Sequence, residues 1–314
     1  MKKWLIGLVS LLLLFLISIY VYIPGKIFVI KSISVNANQN GVYRFLSDDL
    51  NWKKWWPDPV FFQEGTSIVF QYGNYQFKKS KHLYNSFEIA IRKNKNIDSS
   101  LLRIFSISND SIKIEWNLTI NTGSNPFNKI SNYFKAKELS KNLSVILIAM
   151  QKYIGNVKHI YGVDIRKELV NIEFLVSTKQ VFTHYPSTPE IYEMINQIKK
   201  YIAKHEANEA DNPMLHIIAT DSLRFEVQVA IPVNKKLPDG EIFLSKKMLK
   251  KGNILVTEVT GGTKTADFAM KQMDIYVYDH QYNNIAIPFY SLITDRMNTP
   301  DTSKWVTRIY YPIM

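Results

Sequence analysis

The sequence predicts an α+β protein with an N-terminal transmembrane helix, then an antiparallel sheet closed by a long helix, then a duplicated β-α-β-β domain. Three observations carry this expectation. Trp4 to Ile23 is apolar except for Gly7, Ser10 and Ser18; alternating strand patterns between Ser67 and Ile120 lead into a long helical periodicity; and one strand unit is written twice in the last third of the chain. At 314 residues the chain is long for a single core, and about 150 residues per domain points to two. Hydrophobic residues at 46%, with 13% aromatics, exclude a disordered chain.

Lysine and arginine outnumber acids by 39 to 27, a formal charge of +12. The lysines are spread over the whole length, and there is no helix-turn-helix, zinc-finger spacing or arginine-rich block. The charge therefore reads as solubility, or as proximity to an anionic membrane, and no nucleic-acid partner is expected. The chain has no cysteine, which excludes disulfides, thiolate catalysis and iron-sulfur clusters.

Twenty helical residues at about 1.5 Å each match the roughly 30 Å hydrocarbon core of a bilayer, so Trp4 to Ile23 is a membrane span or a signal sequence. Between Ser18 and Lys26 stand aromatics, isoleucines and Pro24 where a cleavable signal would place small residues, which favours an uncleaved anchor over 1–25. Tyr20 and Tyr22 at one end and Trp4 at the other suit an interfacial belt. Lys2 and Lys3 are balanced by Lys26 and Lys31, but a short basic tail normally stays inside, which puts the remaining chain on the periplasmic or extracellular side.

Beyond the anchor, Ile27 to Val35 reads as a strand, Asn36 to Asn40 as a break, and Val42 to Leu46 as a short helix. Trp52, Trp55 and Trp56 follow; a stacking platform for bases or sugars is one use of such a cluster, and packing beneath a sheet the commoner one. Strands are expected over Ser67–Tyr72, Lys81–Ile91, Leu101–Ser108 and Ser111–Ile120, with Asn109-Asp110 turning the last pair. After the breaker run Asn121 to Asn128, apolar residues at 139, 143, 146, 147, 150, 153 and 154 predict a helix over about Ile130–His159 laid against the sheet. This order, with the Trp-x-x-Trp-x-Pro form carried by Trp52, Trp55 and Pro57, resembles the polyketide-cyclase and START-like (SRPBCC) superfamily over 27–161. The resemblance implies a helix-grip fold, often with an apolar cavity for a hydrophobic molecule between sheet and helix.

In the second half, Ile217 to Asp221 with Arg224 to Val233 is answered by Leu292 to Asp295 with Lys304 to Ile313. Both copies pass through Thr-Asp into an alternating strand closing on apolar-Pro-apolar. Upstream, Phe182 to Ser187 matches Val256 to Gly261, and helices start at Thr188-Pro189-Glu190 and near Thr263 or Thr265. The repeats therefore span about 168–233 and 240–314, and each must pair with the other to bury its apolar face. The lead-ins to the helices and the ending Thr307 to Ile313 resemble the gyrase-inhibitor-like (GyrI-like) effector-binding family over 168–314. That implies a ligand cleft on the pseudo-twofold axis, used by relatives for small hydrophobic, often cationic, molecules.

For chemistry the sequence offers little. The six histidines show no metal-ligand spacing, and no nucleophile elbow, Walker A or dinucleotide motif is present. His184 reads as structural, and Gly261-Gly262 as a turn that could seat an anion. Where the effector-binding family carries Trp-Glu-x-Tyr, this chain has Phe289-Tyr290-Ser291-Leu292, so Tyr290 stands in for the glutamate that faces a cation. We therefore expect an aromatic cleft walled by Phe225, Tyr290, Trp305 and Tyr310, with Glu226 the nearest acid, taking a neutral or weakly charged molecule. The function expected is small-molecule binding or sensing without a cofactor, metal or catalytic set. The competing reading is a cyclase or hydrolase using Glu88, Glu115 or His82 in a helix-grip cavity.

Overall fold

The structure, a computed structural model, describes residues 2–221 and 223–314. The side chains of Lys2, Lys3 and Asp221, the first two of which entered the orientation argument, lie outside the described residues, as does Ser222. It is a mixed α+β architecture with two antiparallel sheets and one apolar N-terminal helix, and the chain divides into two compact units, Met1–Asn156 and Val157–Met314.

The first unit runs α1 (Lys2–Tyr22), β1 (Lys26–Val35), α2 (Gln39–Ser47), α3 (Asp49–Trp52), β2 (Phe61–Glu64), β3 (Ser67–Tyr72), β4 (Tyr75–Leu83), β5 (Ser86–Lys93), β6 (Asn96–Ser108), β7 (Ser111–Asn121) and α4 (Pro126–Ile154). Its sheet has the order β1-β7-β6-β5-β4-β3-β2, every pairing antiparallel. Strand β7 shows the period of two directly: Ile112, Ile114, Trp116, Leu118 and Ile120 are buried and the residues between them are not. The single strand expected over Lys81–Ile91 is instead the hairpin β4–β5. It turns at Tyr84-Asn85, where Asn85 adopts φ 51°, a left-handed conformation that asparagine tolerates. The long helix starts earlier than expected because Asn125 caps it through Phe127 N–H and Pro126 occupies its first turn; it ends at Ile154.

The expected cavity between sheet and α4 is filled by the unit's own side chains. Leu139, Leu143, Ile146, Leu147, Met150 and Ile154 of α4 are each at most 1% exposed, as are Phe77, Phe87, Ile89, Leu102, Ile112 and Trp116 of the sheet. Trp52, Trp55 and Trp56 are buried with ring centroids 5.1–5.8 Å apart and extend this core toward Phe70, so the cluster packs rather than forming an exposed platform. A recess of about 610 Å³ in this unit is lined by Asp48, Lys53, Phe61 and Gln63 at the α2–α3 and β2–β3 edge, away from α4.

Two buried lysines tie elements together. Lys79 on β4 donates to the carbonyls of Leu46 (2.8 Å) and Ser47 (2.7 Å), closing the end of α2, and pairs with Asp49 at 2.6 Å. Lys129 on α4 donates to Ile23 O at 2.7 Å, a cation on the free carbonyl end of α1. Around it Tyr20 Oη donates to Ser124 O (2.6 Å) and Thr122 Oγ1 to Pro24 O (2.7 Å). The last turn of the apolar helix is therefore built into the first unit.

The second unit runs α5 (Val157–Tyr161), β8 (Arg166–Leu169), β9 (Phe174–Phe182), α6 (Thr188–Lys204), β10 (Met214–Asp221), β11 (Arg224–Val233), β12 (Leu244–Lys247), β13 (Asn253–Thr260), α7 (Thr263–Asp279), β14 (Phe289–Leu292) and β15 (Val306–Ile313). The sheet order is β12-β9-β11-β10-β14-β15-β13-β8, which reads the same from either end: edge, first, third and second strand of each repeat. The repeats join at β10–β14, where Met214 pairs with Ser291 and Leu215 with Tyr290. Both helices lie on one side of the sheet. Ile191, Met194, Ile195 and Ile198 of α6 pack with Leu215, Val227 and Val229, and Ala269, Met273 and Val277 of α7 with Leu255, Ile309 and Tyr311. Tyr161 also belongs here: it is buried in the α7 cluster and donates its hydroxyl to Asp279 Oδ2 at 2.9 Å.

Candidate functional site

Strand alternation decides where the five expected cleft residues go, and it divides them between the two faces of the second sheet. Tyr290 is on the helix side, packed against both the α6 and α7 clusters. Phe225, in phase with Val227 and Val229, is on that side too, edge-on to Tyr185 at 5.6 Å, and buried Trp305 joins them through Arg296. Glu226 and Tyr310 are one residue out of phase with this set and face the other way. Glu226 pairs with Lys179 at 2.5 Å, and Tyr310 stacks on Phe289 with centroids 5.1 Å apart. The expectation of one cleft walled by Phe225, Tyr290, Trp305 and Tyr310, with Glu226 the nearest acid, is corrected accordingly: Tyr310 leaves the other three walls, and Glu226 faces away from Phe225 as strand alternation requires.

On the helix side, Tyr290 donates its hydroxyl to Asp267 Oδ1 on α7 at 3.0 Å. Burial first, and then the Asp267 carboxylate, push the Tyr290 phenol far above its ordinary range, so it stays a neutral donor. The nearest acid is thus Asp267 rather than Glu226. Beside it, Arg296 places its guanidinium 4.6 Å from the Trp305 ring centre and donates Nη2–H to Thr307 Oγ1 at 2.8 Å. Its backbone N–H is accepted by Tyr192 Oη at 2.7 Å, while its buried Nε–H has no acceptor. Asp267 and Arg296 carry no sequence signal of their own. The first is one of several charged residues on the amphipathic α7, the other lies in the 293–305 connection, and only the fold brings them together.

The opposite, helix-free face holds a groove of about 510 Å³ shared by both repeats. Leu175, Met214 and Ala230 come from the first repeat, and Phe289, Pro312 and, between β12 and β13, Met248 and Leu249 from the second. A largely apolar hollow with a few convergent polar groups is the usual form of a small-molecule site. The polar groups are His216, Gln228, Lys246, Asn253 and Lys247, the last paired with Glu173. Burial lowers the pKa of His216, more than its contact with Pro288 O (2.9 Å) raises it; as the neutral Nδ1–H tautomer it donates to that carbonyl and leaves Nε2 as an acceptor. Burial, then the neighbouring Lys179, also lowers the pKa of Lys246.

The ionisable residues of the competing enzymatic reading do not converge. Glu88 bonds Ser99 Oγ (2.9 Å) and Lys81 (3.4 Å), Glu115 pairs with Lys113, and exposed His82 stands edge-on to Phe87. Among the described residues no group of three or more His, Cys, Asp or Glu is placed to hold a metal ion. His184 bonds Glu190 at 3.0 Å, beside the Ser187 capping box of α6. Gly261 adopts φ 145°, a conformation that favours glycine, and its N–H continues the β13–β15 ladder by bonding Trp305 O at 2.8 Å.

Solved structures similar to parts of this chain include the C-terminal domain of EcmrR, at 14% identity and a TM-score of 0.41, covering 48% of this chain and 98% of that one. They also include the Zhui aromatase/cyclase from Streptomyces sp. R1128 (12% identity, TM-score 0.31, 40% of this chain and 92% of that one). A third is SAV2435 bound to tetraphenylphosphonium, at 13% identity and a TM-score of 0.32, covering 48% and 94%. No family model matches the chain, and no curated protein matches it. Likeness at these levels assigns neither family nor function.

Proposed function

We propose that this chain is a membrane-anchored binding or sensory protein for a hydrophobic small molecule, with a START-like helix-grip domain over 27–161 and a GyrI-like effector-binding domain over 168–314. The observation that carries the reading is the groove on the helix-free face of the second sheet, an apolar hollow to which both repeats contribute. With the first unit's interior filled, binding falls to the second. Glu226 and Tyr310 lie on the groove's face of the sheet, while Phe225, Tyr290 and Trp305 lie on the helix side. Native mass spectrometry of the full chain in detergent should find a co-bound small molecule, and Gln228→Trp, which fills the groove from a half-buried position, should lose it. Retention of the same mass by Gln228→Trp and by Ala230→Phe would place binding elsewhere.

The anchor is supported by how α1 ends. Residues Trp4–Tyr22 have a mean hydropathy of 2.6 and only 6% burial, as a lipid-facing helix requires. Cleavage of a signal beyond Tyr22 would remove Tyr20 from Ser124 and, if it took Ile23, leave the buried Lys129 without its carbonyl. The full chain should stay in the membrane pellet through carbonate extraction. Recovery in the supernatant of a chain still carrying residues 1–25 would remove the anchor from this reading.

A further inference from the structure

The groove has one cation that the surrounding acids leave uncompensated. Glu173 is shared by Lys247 (3.3 Å) and Lys250 (3.6 Å), and Glu226 is taken by Lys179. Lys246, between these residues, lines the groove and, among the described residues, has no carboxylate within salt-bridge distance. Its strand β12 pairs with β9 so that Lys246 stands opposite Leu175, itself a groove residue, and the ammonium sits at the edge of an apolar wall. An ammonium half-removed from water gains more from a bound anion than an exposed lysine does, because the desolvation cost has already been met in folding. Gln228 and Asn253 also line the groove and offer amide N–H donors.

We propose that the groove takes an amphiphile with an apolar body and a single anionic head group, its head on Lys246 and its body along Met214, Ala230, Phe289 and Pro312. This rests on the groove being the binding site and adds the charge of its occupant. A lone anion would find little elsewhere in so apolar a hollow, and a lone hydrocarbon would leave Lys246 unpaired. A hydrophobic cation, the ligand type that the sequence resemblance suggests, would be repelled by the uncompensated Lys246.

The test titrates full-length protein in nanodiscs with four probes built on an eight-carbon chain: octanoate, octyl phosphate, octanol and octyltrimethylammonium. The Gln228→Trp protein serves as the baseline for partition into lipid. Octanoate or octyl phosphate should bind the wild type tightest, and whichever is tighter identifies the head group as carboxylate or phosphate. Lys246→Gln should weaken both anions by roughly tenfold or more, the size of a lost charge-assisted hydrogen bond, and leave octanol within about twofold. Equal affinity for octanol and the anions, with no effect of Lys246→Gln, would overturn the anionic head group while leaving the groove intact. Binding of all four probes at the Gln228→Trp baseline would overturn the groove itself.

Discussion

Lys79→Ala is expected to destabilise the first unit by roughly 3 to 5 kcal/mol, the range for removing one partner of a buried ionic arrangement. The Lys79 side chain is 4% exposed, and its three acceptors, Leu46 O, Ser47 O and Asp49 Oδ1, converge on one ammonium that also lies 5.3 Å from the Trp52 and Phe87 ring centres. Burial depresses its pKa, while the Asp49 hydrogen bond opposes this as the next largest influence, so the charge is held by its partners rather than by solvent. Alanine would leave a carboxylate and two helix-end carbonyls facing an empty, partly apolar space. Lys79→Met would refill the volume without serving the acceptors and should recover only part of the loss. Guanidinium unfolding followed by tryptophan emission reports on this unit, which holds four of the six tryptophans in its core or beside it. A change below about 1 kcal/mol in Lys79→Ala would show that Asp49 and the carbonyls are as well served by water.

Leu143→Ala should cost about 3 kcal/mol, because Leu143 is fully buried at the middle of α4 and its neighbours Leu139, Ile146 and Leu147 are equally enclosed. The same substitution in a helix-grip domain with an open cavity would remove side-chain atoms that border free space, and the cavity contribution to the cost would vanish. Unfolding experiments thus distinguish a filled interior from a ligand chamber. A loss under about 1 kcal/mol for Leu143→Ala, with Lys79→Ala still severe, would argue that this helix does not close a solid core.

The duplicated half was legible because its signal is periodic and repeated. Each repeat carries two strands of alternating residues, a helix and a Thr-Asp turn, and a register error would expose an entire apolar face. What sequence could not supply was the phase between the copies. A 74-residue offset sets Thr220-Asp221 on Thr294-Asp295 and His216 on Tyr290, yet Leu215 is the residue that pairs with Tyr290, and His216 lines the opposite face. The cause is local: the β10–β11 register shifts between Ala219 and Asp221, and one additional residue turns the preceding side chains over. The same parity rule separated Glu226 and Tyr310 from Phe225, Tyr290 and Trp305. Asp267 and Arg296 were out of reach for another reason, since each acts through contacts between different elements, Asp267 with Tyr290 and Arg296 with Thr307 and Tyr192, that no local pattern encodes. Edge strands β8 and β12 are four residues each, too short for alternation to be visible. In the first unit the β4–β5 turn was missed because Tyr84-Asn85 lacks the glycine that usually announces a two-residue turn.

The way α1 ends also governs where the chain can be cut. A soluble version beginning at Lys26 would lack the carbonyls of Ile23, Pro24 and Gly25 that Lys129 Nζ, Thr122 Oγ1 and Thr122 N–H occupy, and would begin life with three orphaned donors beneath α4. Beginning instead at Val21 keeps all three acceptors while discarding nearly the whole apolar stretch. The boundary between the apolar helix and the domain, as a protein engineer would draw it, therefore falls inside the last turn of the helix and not at the first polar residue after it.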